Sequence, residues 1–290
     1  MPNPRFMQTA GRWMNRDLPV ERVAEPEVII EPRNIIDFSI DHLINNGEVC
    51  YDKDLPTALR NVMTHATQDG RVASMPYLIA GKAKADKNNY LWKNWFTALT
   101  EENIGIDKKG RFVGRGKPVI ATVHGGGILT PDRIQRAYDE ELTEQYAAKI
   151  EDGEFEDLLE GKLPNGEQIE LYNLDDIRNG RIPNPFGRYG IVMDFEEGKR
   201  TKSGYHKKDE FMGNPLVHAR VGTLEHLENY FEKAKHSSDK DVRNSHRFNE
   251  IDYNQSQGRL LFLLIDCYGL IGNCNLVSNG WFVGVAPEAR

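Results

Sequence analysis

The sequence predicts an α+β protein with a mixed sheet, and two kinds of segment support this class. Continuous apolar runs of strand length occur at residues 117–123 (KPVIATV) and 258–265 (GRLLFLLI), as expected for buried strands. Other segments repeat apolar residues every three or four positions, as amphipathic helices do. We expect a mixed sheet with a long amphipathic helix, an extended N-terminal arm and a C-terminal β-hairpin.

The first part of the chain predicts an arm followed by a helix-rich lobe over residues 36–180. Five prolines lie within residues 1–35, and proline disfavours helix at its own position and the one before it, so we predict an extended arm there. Residues 55–70 (LPTALRNVMTHATQDG) predict a helix that ends at a glycine. Residues 88–106 (NNYLWKNWFTALTEENIGI) have the apolar spacing of a helix buried on one face.

Residues 117–138 (KPVIATVHGGGILTPDRIQRAY) predict a strand, a glycine-rich turn and the start of a helix. Thr130 suits the N-cap, Pro131 the first helical position and Asp132 the first turn. Apolar residues recur at positions 134, 138, 142, 146 and 150. This period of four predicts a long amphipathic helix.

The remainder predicts a β-rich α+β lobe over residues 181–290, separated from the first lobe near a composition shift at residues 176–187. A helix is predicted at residues 223–235, where apolar residues face inward. The turn pair Asn279-Gly280 predicts the C-terminal hairpin. The predicted strands lie at residues 188–194 (RYGIVMD), 217–221 (VHARV) and 258–269 (GRLLFLLIDCYG).

Composition excludes several classes of partner. The chain has 290 residues, is 39% hydrophobic and carries a net charge of −7. A nucleic-acid binder is expected to be basic overall or to carry a basic stripe, so we predict no sequence-specific nucleic-acid partner. The longest apolar run, at residues 260–265, is too short to span a membrane. With no signal-peptide core either, we expect no membrane partner and a cytoplasmic location, or a particle assembled in the cytoplasm.

Neither cysteine nor histidine spacing indicates a metal site. Cys50, Cys267 and Cys274 form no CxxC pair, which argues against a disulfide scaffold or structural zinc. The later histidines are roughly ten residues apart rather than closely spaced as metal ligands usually are; they are His206, His218, His226, His236 and His246. We predict no metal and no cofactor.

The candidate site is the glycine-rich turn after His124, and its role stays open. Gly125, Gly126 and Gly127 either form a tight corner or present N–H groups to an anion. HGGG after a strand resembles the oxyanion loop of lipases and esterases, but no GxSxG motif follows. In an enzyme, a hydrolase or transferase, His124 would join a base such as His246 or Glu250. A small-ligand binding module would keep the glycines without the chemistry.

A further resemblance favours a structural function. HGGGILTPDRIQRAY followed by GRYGIVMDFEEG and NPLVHARVG resembles the second half of HK97-type shell proteins, the tailed-phage major capsid proteins and encapsulins. Residues 127–129 match the turn of that family and residues 189–193 its strand, within a match over residues 124–222. The resemblance implies a self-assembling virus capsid or shell subunit, a homo-oligomer whose N-terminal arm reaches onto a neighbour. It implies no catalytic residues.

Overall fold

The structure, a computed structural model, describes residues 39–67, 69–140, 142–234, 241–264, 269–272 and 276–287. By its contacts the chain divides into residues 1–35 and residues 36–290, and the described helices and strands all belong to the second unit. The predicted extended arm lies outside the described residues. The predicted boundary between lobes near residue 180 stays a prediction.

Most helices of the described residues are short and begin at a capping side chain or a proline. Asp54, for example, caps α2 by accepting from the N–H of Thr57 at 3.1 Å. The helices are α1 (Ile40–Asn46), α2 (Leu55–Ala66), α3 (Met75–Lys84), α4 (Tyr90–Lys93), α5 (Pro131–Glu140), α6 (Asp152–Leu158), α7 (Leu174–Arg178), α8 (Phe195–Arg200), α9 (Lys208–Met212), α10 (Pro215–Val221) and α11 (Leu227–Ala234).

The strands differ widely in length, and the longest lie at the centre of the molecule. They are β1 (Glu48–Asp52), β2 (Arg71–Val72), β3 (Phe96–Asp107), β4 (Lys117–His124), β5 (Ala148–Lys149), β6 (Leu171–Tyr172), β7 (Tyr189–Asp194), β8 (Gly204–His206), β9 (Val242–Ser245), β10 (Gln257–Leu263), β11 (Leu270–Ile271) and β12 (Gly280–Val285).

Among the described residues these strands form two sheets. The smaller has the order β1-β12-β2, and the larger has the order β6-β7-β4-β3-β10-β11-β9-β8, with β5 paired to β10. The β3–β4 and β3–β10 pairs are antiparallel, whereas β6–β7 and β9–β11 are parallel. The prediction of an α+β fold with a mixed sheet is therefore confirmed.

The predicted helix over residues 88–106 is wrong except at its start. Asn89 caps the four-residue α4, and the chain then enters β3. Every residue of β3 is buried or nearly so, and a strand buried on both faces carries apolar residues without strict alternation. Such a pattern imitates the spacing of a helix.

Residues 217–221 show the opposite error, since the strand predicted there is part of α10. Asn214 caps this helix by accepting from the N–H groups of Leu216 and Val217, and Pro215 occupies its first position. Gly222 ends it in the left-handed conformation, at φ 68°. The cap and the stop signal outweigh the β-branched residues between them.

Two other predicted elements differ in extent or pairing. The amphipathic helix that begins at Pro131 ends at Glu140, and Tyr146, at φ 56°, turns the chain toward β5. Gly280, predicted in a hairpin turn, begins β12 instead. The described partners of β12 are β1 and β2, so it pairs with distant rather than adjacent residues. Within the described part of the chain, no helix is long and apolar enough to cross a membrane.

Candidate functional site

The glycine-rich turn closes on a carboxylate of the protein itself. Glu101 lies on β3, beside β4, and is buried. Its two carboxylate oxygens accept from the backbone N–H groups of Ile128 at 2.7 Å and Leu129 at 2.8 Å. The Asn103 side-chain amide donates to the same carboxylate at 2.9 Å. The first two N–H groups after the glycines are therefore occupied by an internal anion.

The three glycines meet different demands. Gly125 and Gly126 have φ of 79° and 95°, which side chains rarely tolerate. Gly127 needs space instead, since a Cβ there would lie 2.2 Å from Oε1 of Glu101. Binding of an external anion by these glycines stays a prediction.

A second buried carboxylate lies next along β3. Glu102 pairs with Arg220 of α10, and both side chains are fully buried. The guanidinium donates from Nε to Glu102 at 2.9 Å, and from Nη1 to the Asn244 side chain at 2.7 Å and the Ser245 carbonyl at 2.9 Å. This network ties α10 and β9 to the central strand.

His124 is the last residue of β4, and its imidazole is buried, neutral and bonded to neighbouring elements of the fold. Its Nε2 lies 3.0 Å from the Ala219 carbonyl, and its Nδ1 lies 3.2 Å from Oγ1 of Thr100. Because a carbonyl only accepts, Nε2 carries the proton, and Nδ1 accepts from the Thr100 hydroxyl. Burial lowers the pKa of His124 to about 3. Both ring nitrogens are thus engaged by neighbouring elements.

His246 and Glu250 lie in a different setting. The His246 Nε2 donates to the Thr201 carbonyl at 3.0 Å, and its ring stacks on Phe248 with centroids 4.5 Å apart. Burial lowers the pKa of His246. The Glu250 side chain is exposed. Since His124 and His246 have separate partners, the structure gives them no common proton-transfer geometry.

An open groove of about 680 Å³ lies beside the glycine-rich turn. Its walls are Met63 near the end of α2, Val72 of β2, Gly125 of the turn, and residues from the segments 165–169 and 186–188. The groove therefore lies between the small sheet and the outer strands of the large one.

Two guanidinium groups line this groove. Arg188 donates from Nε to the Gly125 carbonyl at 3.0 Å and forms an ion pair with Glu167. Arg71 donates to the Phe186 carbonyl at 2.8 Å. The charged groups of the groove lining are thus these two guanidinium groups and the Glu167 carboxylate, on a chain whose net charge is −7.

A second surface feature is a ladder of aromatic rings that joins the two sheets. Tyr51 of β1 lies opposite Trp281 of β12, with ring centroids 5.1 Å apart. Trp281 meets Trp95, just before β3, at 5.4 Å, and Trp95 meets Phe262 of β10 at 6.0 Å. We call Tyr51, Trp95, Phe262 and Trp281 the aromatic face.

The aromatic face is partly open to solvent. Tyr51 is 47% exposed, and Trp95 and Trp281 are half-buried. Asn279 donates its side-chain amide to the Tyr51 hydroxyl at 3.1 Å. Within the part of the chain that the structure describes, Nε1 of Trp281 is buried and has no hydrogen-bond partner, so the open part of the indole is its ring. Partly exposed tyrosine and tryptophan rings are typical of recognition surfaces.

The described residues contain no cluster of three or more His, Cys, Asp and Glu side chains that could hold a metal ion. The groove offers guanidinium groups and the aromatic face offers aromatic rings for recognition.

Comparison with known proteins identifies one similar solved structure. No family model matches the sequence, and no curated protein matches it. A solved structure from Nanoarchaeota is 27% identical, with a TM-score of 0.62 over 83% of this chain and 99% of that one. That protein is described as a C-type lectin fold that accommodates massive sequence variation. A likeness over most of both chains indicates a shared fold.

This comparison corrects the predicted function. The resemblance to HK97-type shell proteins is wrong, and so is the capsid or shell subunit inferred from it, because the similar structure has a C-type lectin fold. Residues 217–221, matched to a strand of the shell family, lie in α10. Self-association through the N-terminal arm stays a prediction.

The hydrolase or transferase alternative is wrong as well. The likeness to a C-type lectin fold gives it no support. Its intended oxyanion loop already holds Glu101 through the N–H groups of Ile128 and Leu129. The histidines assigned to it are buried and bonded to framework groups.

The sequence did not reveal the aromatic face, because its rings come from distant segments. Residues 51, 95, 262 and 281 meet only through the pairing of β1 with β12 and of β3 with β10. A helix over residues 88–106 would have buried Trp95 in a core. The one signal in the sequence was that Trp95 and Trp281 lie in two similar segments, KNWF and NGWF.

Proposed function

We propose that this protein is a binding protein that recognises a partner protein through its aromatic face. The observation that carries the proposal is the continuous contact of Tyr51, Trp281 and Trp95, with Tyr51 47% exposed. Tyrosine and tryptophan supply large contact area with few rotatable bonds, so little conformational entropy is lost on binding. They also dominate the energetics of protein interfaces.

The shape of the aromatic face favours a protein over a small molecule. Small ligands occupy concave sites that enclose most of their surface. The aromatic rings instead line a face across strands, and the groove lining contains none of them. Neighbouring rings are inclined at 59° and 75°, so ring edges and faces are presented together. Such a surface suits the mixed polar and apolar groups of a protein.

The similar Nanoarchaeota protein supports a recognition function in general terms. Its fold accommodates massive sequence variation. A scaffold that tolerates variation at its surface while keeping its core is suited to presenting binding residues, since function lives in sites placed on a fold. In this chain the central strands supply such a core, because β3 and β10 are almost wholly buried.

The experiment compares wild-type protein with the variants Tyr51→Ser and Tyr205→Ser. Both tyrosines are about half exposed, at 47% and 49%, but Tyr205 lies on β8 beside Arg243 rather than on the aromatic face. Each protein captures partners from a lysate of the source cells, and each candidate is then purified and titrated by calorimetry. We expect a protein that binds wild type and Tyr205→Ser equally, and Tyr51→Ser about tenfold more weakly.

Two results would overturn the proposal. One is a purified partner whose affinity is the same for wild type and Tyr51→Ser. The other is a glycan array on which the wild-type protein binds sugars, with Tyr51→Ser abolishing that binding while no protein partner responds to it. Circular dichroism of each variant confirms that the fold is kept.

A further inference from the structure

We infer that the groove beside the glycine-rich turn is a second binding site, which takes an extended polypeptide segment bearing a carboxylate side chain. The groove is lined by residues of α2, β2 and the turn, with Arg71 and Arg188 among them. The aromatic face contributes none of these residues. The inference therefore goes beyond the proposed function and is tested separately.

An exposed strand edge supports binding of an extended polypeptide. The two-residue β2 forms one edge of the small sheet. Ala73 donates its N–H to the Val283 carbonyl at 2.8 Å, and Val72 lies opposite Gly284. Because bonded and non-bonded pairs alternate along an antiparallel ladder, the N–H and C=O of Val72 point away from β12. An extended peptide can pair with such an edge.

The floor of the groove is fixed by backbone hydrogen bonds. Leu99 donates its N–H to the Ala73 carbonyl at 2.9 Å, and Gly125 donates to the Leu99 carbonyl at 2.8 Å. The turn is held in addition by the buried Glu101 carboxylate. A floor that is already ordered reduces the entropy lost on binding.

The charge of the groove selects the side chain of the peptide. The Arg188 side chain is 40% exposed, and its Nε and Nη1 are occupied by the Gly125 carbonyl and Glu167. A planar guanidinium presents five N–H donors, so Nη2 still has donors for a carboxylate. The exposed amides of Asn165 and Gln168 lie in the same groove and suit the polar groups of a peptide backbone.

The size and apolar parts of the groove match a short strand. Its volume of about 680 Å³ lies within the range of roughly 300–1,000 Å³ typical of ligand sites. Met63, 46% exposed, and Ile169 provide apolar contacts. Successive side chains of a strand point to opposite sides, so apolar and acidic residues in alternation would meet these two kinds of wall.

The test uses capped, fluorescent pentapeptides in which valine alternates with glutamate, glutamine or lysine, measured by anisotropy with the full-length protein. We expect the glutamate peptide to bind at least about tenfold more tightly than the lysine peptide. Arg188→Gln should lower this affinity about tenfold. Arg60→Gln serves as the matched control, because Arg60 pairs with Asp132 and is not part of the groove lining.

A second measurement does not depend on any variant. In an extended peptide, alternate N–H groups point to opposite edges of the strand. Two forms of the glutamate peptide are made, each N-methylated at the amides of one edge, so that each form lacks the donors of that edge. Pairing with β2 predicts about tenfold weaker binding for one methylated form and little change for the other. Tyr51→Ser should leave peptide binding unchanged, so failure at the aromatic face is distinguishable from failure here. Equal binding of the glutamate and lysine peptides, equal effects of both methylations, or no binding at about 1 mM peptide would overturn the inference.

Discussion

Glu101 and Lys82 are both buried ionisable side chains, yet the protein accommodates them in opposite ways. The Glu101 carboxylate accepts three hydrogen bonds, two from the turn and one from Asn103. Among the described residues, the Lys82 amine has no hydrogen-bond partner. It lies instead 5.1 Å from the centroid of a Trp92 ring and 5.7 Å from that of Phe96.

The difference shows two ways of lowering the cost of a buried charge. Burial raises the pKa of Glu101, and the hydrogen bonds from Leu129, Ile128 and Asn103 oppose that rise. Burial, together with the nearby charge of Lys87, lowers the pKa of Lys82 to about 7. Glu101 is thus stabilised by donors, whereas Lys82 can shed its proton among aromatic rings, which attract it only while it is charged.

The largest expected effect comes from leaving a buried carboxylate without its partner. Arg220→Met removes the cation that faces Glu102 in a fully buried pair. Loss of one partner leaves an uncompensated charge, so we expect the free energy of unfolding to fall by about 3–5 kcal/mol. Urea denaturation followed by circular dichroism measures this change.

The matched control combines Arg220→Met with Glu102→Gln. Removing the charge on both sides should restore at least about 1–2 kcal/mol of the loss, because the two sites are in contact and their effects are not additive. A single variant less than about 1 kcal/mol below wild type would show that Glu102 is not held by this ion pair.

The next largest effect is the contribution of Lys82 to the free energy of unfolding, which depends on pH. Its folded pKa of about 7 lies below the ordinary 10.5, so the unfolded chain binds the proton more readily. Stability should therefore be highest above pH 10.5 and fall as the pH drops toward 7, by on the order of 3–5 kcal/mol in total. Lys82→Met should remove this slope and be more stable than wild type at pH 7.

Lys84→Met is the control for this prediction. Lys84 lies on the same helix but is 52% exposed and paired with Asp41. This variant should keep the pH dependence between 7 and 10 and change stability by less than about 0.5 kcal/mol. If Lys82→Met retained the slope, the depressed pKa would have to belong to another group.

Gly127 tests how closely the turn must approach Glu101. Gly127→Ala would place a Cβ 2.2 Å from the Glu101 Oε1 atom, displacing the carboxylate from its donors. We expect a loss of about 1–3 kcal/mol, the cost of leaving buried polar groups unsatisfied. Gly153→Ala, in α6 with no atom within 4 Å of the new methyl group, should be neutral or stabilising by up to about 1 kcal/mol. Equal effects of the two substitutions would contradict the close approach.

Local signals made part of this fold predictable. The strand at 117–124, the strand at 189–194 and the helix start at Pro131 are confirmed, because an apolar run or a cap is readable within a few residues. Residues 88–106 and 217–221 were mispredicted, because their apolar patterns suit a helix as well as a strand. There the deciding influences were burial of β3 on both faces and the Asn214 cap.

The candidate surfaces were harder to predict than the elements. Glu101 could not be assigned to the turn, because the contact depends on the register in which Glu101 lies opposite Val123. The same holds for the aromatic face, where Tyr51 lies opposite Trp281, a residue from the far end of the chain. Long-range register is set by the whole hydrophobic pattern and not by any single motif.

The smallest effect on stability is expected at an ion pair on the surface, which contrasts with the buried ionisable groups. Arg60 and Asp132 form an ion pair at 2.9 Å, with side chains 44% and 92% exposed. Both groups are hydrated in the folded and unfolded states, so Arg60→Gln should cost less than about 0.5 kcal/mol, and added salt should reduce even that. Urea denaturation at low and at high salt, about 0.05 M and 0.5 M, measures both quantities. A cost approaching that of Arg220→Met would mean that burial is not what separates these pairs, and the contrast between Glu101 and Lys82 would then need another cause.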